Sequence, residues 1–239
     1  MTAAPQIWVY LAASPLLWLA VTLSTYVVAN WIYTRSHQFP LTHPVLLSVA
    51  AIGTLLVASH VTYERYFEGA KFVNFLLGPA TVALAVPLFL NLEGVRRAAP
   101  GVAAGILCGS ATATVSSILI ARWLGASDVV LRSLAPKSVT APVAMAISEK
   151  IGGLPSLTAV LVILTGITGA ALVPLVFDAS RIRDDRARGL GIGTAAHGIG
   201  TARALMLSTT AGAFSSLAMG VNAVVTALLV PTLVRMLLR

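Results

Sequence analysis

Six polar side chains stand in this sequence where their neighbours are almost wholly apolar. Lys137, Ser138 and Thr140 lie in LAPKSVTAPVAMAISEK (residues 134–150), and His197, Thr201 and Arg203 lie in GIGTAAHGIGTARAL (191–205). A cation beside hydroxyls and free backbone N–H groups suits a carboxylate, so Lys137 with Ser138 and Thr140 reads as an anion contact. The competing reading is a lysine that reaches an interface along its own stem. His197 is flanked by glycines and by Thr194 and Thr201. It is either a substrate or proton contact, because imidazole titrates near physiological pH, or a packing residue. With no cysteine, second histidine or close acid beside it, no metal site is expected. Arg203 offers a planar fork for a carboxylate, or alternatively reaches a headgroup. Glu149 is the next candidate for carrying a proton.

The surrounding chain says where these groups must work. Of the 239 residues 57% are hydrophobic and only 10% charged, and mean hydropathy is +0.90. An ordinary soluble domain carries about a quarter of its residues as charges. The chain therefore reads as an all-α polytopic membrane protein, with room for roughly seven or eight segments of about 20 residues. Charge-free runs place spans near 7–33, 44–62, 72–91, 101–121, 155–177 and 208–234, with two further segments at 129–148 and 190–207. A polar group at membrane depth is costly and usually functional. The net charge of +8 comes from 16 Lys and Arg scattered between apolar runs, which suits basic cytoplasmic loops rather than nucleic acid. Cys108 is the one cysteine and reads as a small buried residue inside its run. The first apolar run has no basic segment before it and reads as a retained span.

Three segments are interrupted: 75–91 by Gly78-Pro79 and Pro87, 134–144 by Pro136 and Pro142, and 190–203 by Gly191, Gly193, Gly198 and Gly200. Proline removes a backbone donor and glycine permits unwound backbone, so these should be broken helices or re-entrant hairpins. Pro79-Ala80-Thr81-Val82 and Pro136-Lys137-Ser138-Val139 share the pattern P-x-[ST]-V, which suggests an internal inverted repeat over 75–125 and 132–180. Paired interruptions of this kind point to a carrier's binding site. The segments EGVRRAAP (93–100) and DASRIRDDRARG (178–189) should both be basic cytoplasmic loops, with re-entrant loops at 75–91 and 130–150 on opposite faces. No nucleophile elbow, phosphate-binding glycine loop or paired-carboxylate site argues for an enzyme, and no cofactor is called for.

LLGPATVALAVPL, LAPKSVTAPVAMAISEKIGGLPSLTAVLVILTGITGA and ARGLGIGTAAHGIGTARAL resemble the CidB/LrgB family, over about His43 to Pro231. Its plant relatives form the membrane half of the plastid glycolate/glycerate transporter. Its bacterial members were described as antiholin-like regulators of autolysis and later associated with pyruvate uptake. The resemblance implies a carrier of small monocarboxylates and falls on Thr81, Lys137, Ser138, Thr140, His197, Thr201 and Arg203. Ala141, Ala196, Gly198 and Met206 stand where the family pattern has Thr, Ser, Ala and Glu. The resulting expectation is a single transmembrane domain over 1–239, acting as a homodimer in a bacterial inner membrane. Alternating access would move the substrate, and a small LrgA/CidA-like partner is a further option. The rival expectation is a holin- or antiholin-like pore or regulator.

Overall fold

A computed structural model of the chain describes residues 14–36, 39 and 42–238, without the side chains of Thr81 and Pro174. Every described element is a helix, and the helices gather into two compact units, one ending at Ala83 and the other starting at Leu84. Five stretches are long and apolar enough to cross a membrane: Pro15–Arg35, Tyr63–Leu90, Leu92–Trp123, Pro155–Val173 and Thr209–Leu237. That is fewer than the seven or eight expected. The difference lies mainly in the two segments 129–148 and 190–207, which fold in ways that do not need a full crossing.

The first unit holds α1 (Pro15–Arg35), α2 (Pro44–Ser59), α3 (Tyr63–Phe75) and α4 (Leu77–Ala83). α1 and α2 each open on a proline at the first turn, where its missing N–H costs nothing. Trp18 of α1 is fully buried and meets Tyr66 of α3 edge-on, with ring centroids 6.0 Å apart.

The second unit holds α5 (Ala85–Leu90), α6 (Leu92–Trp123), α7 (Asp128–Leu134), α8 (Ala141–Lys150), α9 (Pro155–Ala179), α10 (Asp185–Leu207) and α11 (Thr209–Leu237). The segment 93–100, expected as a loop, is the first part of α6. Its charges pair along the helix, Arg97 with Glu93 one turn earlier, so the cluster solvates a helix face instead of breaking it. In 75–91 the breaks fall at Leu76 and Leu84, and both keep right-handed helical angles. Cys108 is exposed rather than buried, because α6 turns that face away from its neighbours.

Side-chain contacts fix the course of the chain. Arg122 near the end of α6 donates to the Leu237 carbonyl of α11 at 2.6 Å, so these two helices finish at one end of the unit. α7 and α8 open from that same end: Arg132 donates to the Ile151 carbonyl at 2.9 Å, and the Leu154 N–H donates to Ser133 Oγ at 2.8 Å. Between them residues 135–140 leave the helix, so α7 and α8 form a re-entrant hairpin. α9 then crosses to the other end, where Arg188 reaches back to Asp178 at 2.9 Å.

α10 is a second hairpin. Its first arm runs alongside α11 in the same direction, with Gly189 against the Ala211 carbonyl and Gly193 against the Ser215 carbonyl; a Cβ at either glycine would lie 2.2 Å from that oxygen. Its second arm runs back, Thr201 meeting Ser215 at 2.9 Å and Leu205 packing on Gly212. The reversal sits at His197, with φ 41° and ψ −134°. From Asp185 to Ala196 the arm rises roughly 18 Å at about 1.5 Å per residue, a little over half of a ~30 Å hydrocarbon layer. The unit thus repeats one order, long helix then hairpin (α6 with α7–α8, α9 with α10), entered from opposite ends. The two basic segments 93–100 and 178–189 do lie at one end, where Arg97, Asp184 and Arg186 line a common cleft.

Candidate functional site

The tips of the two hairpins come together through Asn222 of α11. This side chain is fully buried, and its Nδ2 donates to the Ser138 carbonyl at 3.2 Å and to the Thr194 carbonyl at 3.1 Å. Each carbonyl belongs to backbone at a helix break, where the regular i→i+4 partner is lost. Its Oδ1 accepts from Thr226, whose hydroxyl lies 3.0 Å from Ser110 of α6. α6, both hairpins and α11 are therefore tied at mid-depth by one buried polar chain.

Beside this junction an open cleft of about 360 Å³ is lined by Lys137 and Ser138 from the first tip, Ala195 from the second, Ala113 from α6, and Leu161, Leu164, Thr165, Thr168 and Gly169 from α9. Lys137 is half-buried in the turn, and its ammonium lies 3.4 Å from Ser138 Oγ with no acidic partner among the described residues. Such a wall combines one unneutralised cation, three hydroxyls and two leucines. It matches an anion with a short apolar body, the pairing of few polar groups with mostly apolar lining usual for small-molecule sites.

His197 is buried, and its Nε2 lies 2.9 Å from the Val162 carbonyl. A carbonyl can only accept, so Nε2 carries the proton. The neutral ring's one N–H is thus engaged by α9 and is not free for a carboxylate. An anion could be met only through a protonated Nδ1. The ring fits because residue 166 is glycine: a Cβ there would lie 2.7 Å from His197 Cε1.

The other expected residues are placed as follows. Thr140 precedes α8 at its N-cap, without a side-chain cap bond. Thr201 is buried and bonds the His197 carbonyl at 2.8 Å and Ser215 at 2.9 Å, so its hydroxyl serves the hairpin. Arg203 lies on the returning arm; it is half-buried, its Nε is buried without a hydrogen-bond partner among the described residues, and it does not line the cleft. Glu149 is exposed in the last turn of α8, also outside the cleft lining. The side chain of Thr81 lies outside the described ones. Sequence reasoning missed Asn222, Thr165 and Thr168. An amide alone in the 29 residues of α11 was a signal that could have found the first; the threonines sit in a helix with no polar face to mark them.

Of the glycines expected to interrupt 190–203, Gly191 and Gly193 work as contacts, against Phe177 of α9 and Ser215 of α11. On α6, Gly105 and Gly109 receive Leu190 and Thr194 of α10, while Gly101 faces open space. Small residues let membrane helices approach closely, which explains glycines inside helical arms without any break.

Comparison with known proteins follows the same stretch of chain. The pattern of the LrgB-like family matches residues 22–236, beginning earlier than the resemblance near His43. YwbG of Bacillus subtilis (strain 168), itself uncharacterized, is 40% identical over 90% of this chain and 95% of its own. YxaC of the same organism is 36% identical over 85% and 88%. A protein of Bacillus mycoides (strain KBAB4) named antiholin-like protein LrgB is 30% identical over 91% and 95%. No solved structure matches the chain.

Proposed function

The chain belongs to the LrgB-like family, and from that premise we propose that it is a membrane carrier of small monocarboxylates that binds them at the Lys137 cleft. The observation that supports this reading is the meeting of two hairpins, entered from opposite ends, beside one cation without an acid partner. Broken helix ends facing each other near mid-depth suit a site reached from either side in turn. The Lys137 ammonium would neutralise the carboxylate, and Ser138 and Thr168 would bond a 2-hydroxy or 2-oxo group. Thr165, whose hydrogen goes to the Leu161 carbonyl, would accept from a 2-hydroxy group, and Leu161 and Leu164 would cover the short carbon chain. Because the His197 N–H is already engaged, the ring would assist only when Nδ1 is protonated, which would couple a proton to the anion. The proposal sets the carrier in a bacterial inner membrane, as a homodimer, with a small LrgA/CidA-like protein as companion.

A second reading has its own support. Relatives such as the Bacillus mycoides protein carry the name antiholin-like, which favours a regulator of a membrane lesion over a carrier. Counterflow separates the two. Liposomes holding the purified protein and unlabelled glycolate, lactate, pyruvate or glycerate are given the labelled acid, with an entrapped dye as leak control. Saturable, competed uptake with the dye retained supports the carrier. Dye release, or no uptake of any of the four acids, removes it.

A further inference from the structure

At the end of the second unit where α6 and α11 finish, Arg132, Lys150 and Arg235 line a cleft of about 350 Å³ whose other walls are Ile151, Pro231 and Val234. No acid lines it, and none of the three cations is in an ion pair among the described residues. Glu149, beside Lys150 in sequence, forms none with it. The cleft at the opposite end differs: there Arg97 and Arg186 each hold their own acid, Glu93 and Asp184. Lys150 and Arg235 each stand in the last turn of a helix, where a cation meets the carbonyl dipole. That accounts for either alone, but not for three cations from α7, α8 and α11 converging without a counter-charge.

Two of the three are also held in place. Arg132 donates Nη1 to the Ile151 carbonyl at 2.9 Å and Arg235 donates Nε to the Pro231 carbonyl at 3.1 Å. Each guanidinium keeps further N–H donors for an anion. The cleft sits where a membrane-crossing helix ends, and half of its lining is apolar, which a soluble anion would have no use for. We propose that this cleft binds the phosphodiester headgroup of an anionic phospholipid, with the acyl chains lying along the apolar face of α11. Basic pockets between membrane helices at headgroup level hold such lipids in this way.

The test uses the purified full chain in non-ionic detergent, read by its thermal midpoint on addition of phosphatidylglycerol, phosphatidylcholine or glycerol phosphate. Phosphatidylglycerol alone should raise the midpoint saturably. Each cation removed should weaken its binding about fivefold, so the Lys150→Gln/Arg235→Gln variant should need about 25-fold more lipid. Arg132 is left intact because it holds the Ile151 carbonyl. Arg97→Gln/Arg186→Gln, which removes the same charge at the other end, should respond like the parent. An equal rise with phosphatidylcholine or with glycerol phosphate, or an unchanged response in the Lys150→Gln/Arg235→Gln variant, overturns the proposal. Native mass spectrometry of the parent with the two lipids in competition gives a readout that needs no variant, and equal retention of both overturns it too.

Discussion

Asp185 and Ser208 lie 23 positions apart and are joined at 2.7 Å, the Ser208 hydroxyl donating to Oδ2. The chain therefore leaves α10 where it entered it. The same Ser208 Oγ accepts the Ala211 N–H at 3.1 Å and so caps α11. One hydroxyl closes the hairpin and starts the next helix. Ser208→Ala should lower stability by about 1–2 kcal/mol, the usual cost of a lost cap with a charged partner. Thermal melts of the parent and the variant in the same detergent check this; an unchanged midpoint would mean the mouth of the hairpin is held elsewhere.

Gly166→Ala should act through His197. The added Cβ would lie 2.7 Å from Cε1, 2.9 Å from Nε2 and 2.9 Å from Ile199 Cδ1, so the ring must move and its bond to the Val162 carbonyl must stretch. A loss of about 1–3 kcal/mol is expected for such overpacking, with transport lost alongside. Gly101→Ala, whose Cβ meets nothing within 4 Å, should leave transport unchanged and, as alanine replaces glycine inside a helix, raise stability by about 0.5–1 kcal/mol.

Asn222→Leu keeps the bulk of the side chain but strands the Ser138 and Thr194 carbonyls. Leaving a buried acceptor without a donor costs about 1–3 kcal/mol, so the variant should be among the least stable single changes. If it melts like the parent, the two tips are not joined through this amide.

Lys137→Ala should abolish counterflow while insertion and the thermal midpoint change little, because the ammonium has no acidic partner to strand. Lys137→Arg should rescue poorly, since a planar fork replaces a compact charge. Near-normal uptake by the alanine variant would remove the anion site from this cleft.

Acid should have little leverage on the α10 cap until low pH. Hydrogen bonds from the Arg186 side chain and backbone N–H hold the Asp184 carboxyl down at about 2, from an ordinary 3.8. A depressed carboxyl stabilises the fold above its unfolded value and loses that contribution as pH falls from about 3.8 to about 2. The pair is exposed, so the effect is small. Asp184→Asn should therefore match the parent's melting profile from pH 5 to 8 within about 1 kcal/mol.

The first hairpin was legible because Pro136 and Pro142 bracket Lys137, and two prolines with a charge between them have few places to go in an apolar chain. The second was legible only by accident. Its glycines suggested unwinding, yet Gly191 and Gly193 sit in regular helix, against Phe177 of α9 and Ser215 of α11, and the turn falls on a histidine. Nothing in a histidine's chemistry announces a positive φ. EGVRRAAP misled for the opposite reason: charges and a proline resemble a loop, but an i,i+4 pair solvates a helix equally well. Which carbonyls Asn222 meets depends on two hairpin tips far apart in sequence, 84 and 28 positions away, and no local pattern encodes that.

The backbone at His197 has a consequence for selection experiments. Its φ of 41° with ψ −134° mirrors the extended region, which glycine reaches freely and an L side chain occupies at a cost of about 1–3 kcal/mol. His197→Gly should relax the turn but delete the imidazole and its hold on α9. A library screened for heat resistance and one screened for uptake should therefore pull this codon in opposite directions. Their divergence at a single position would separate what the hairpin needs to fold from what it needs to work.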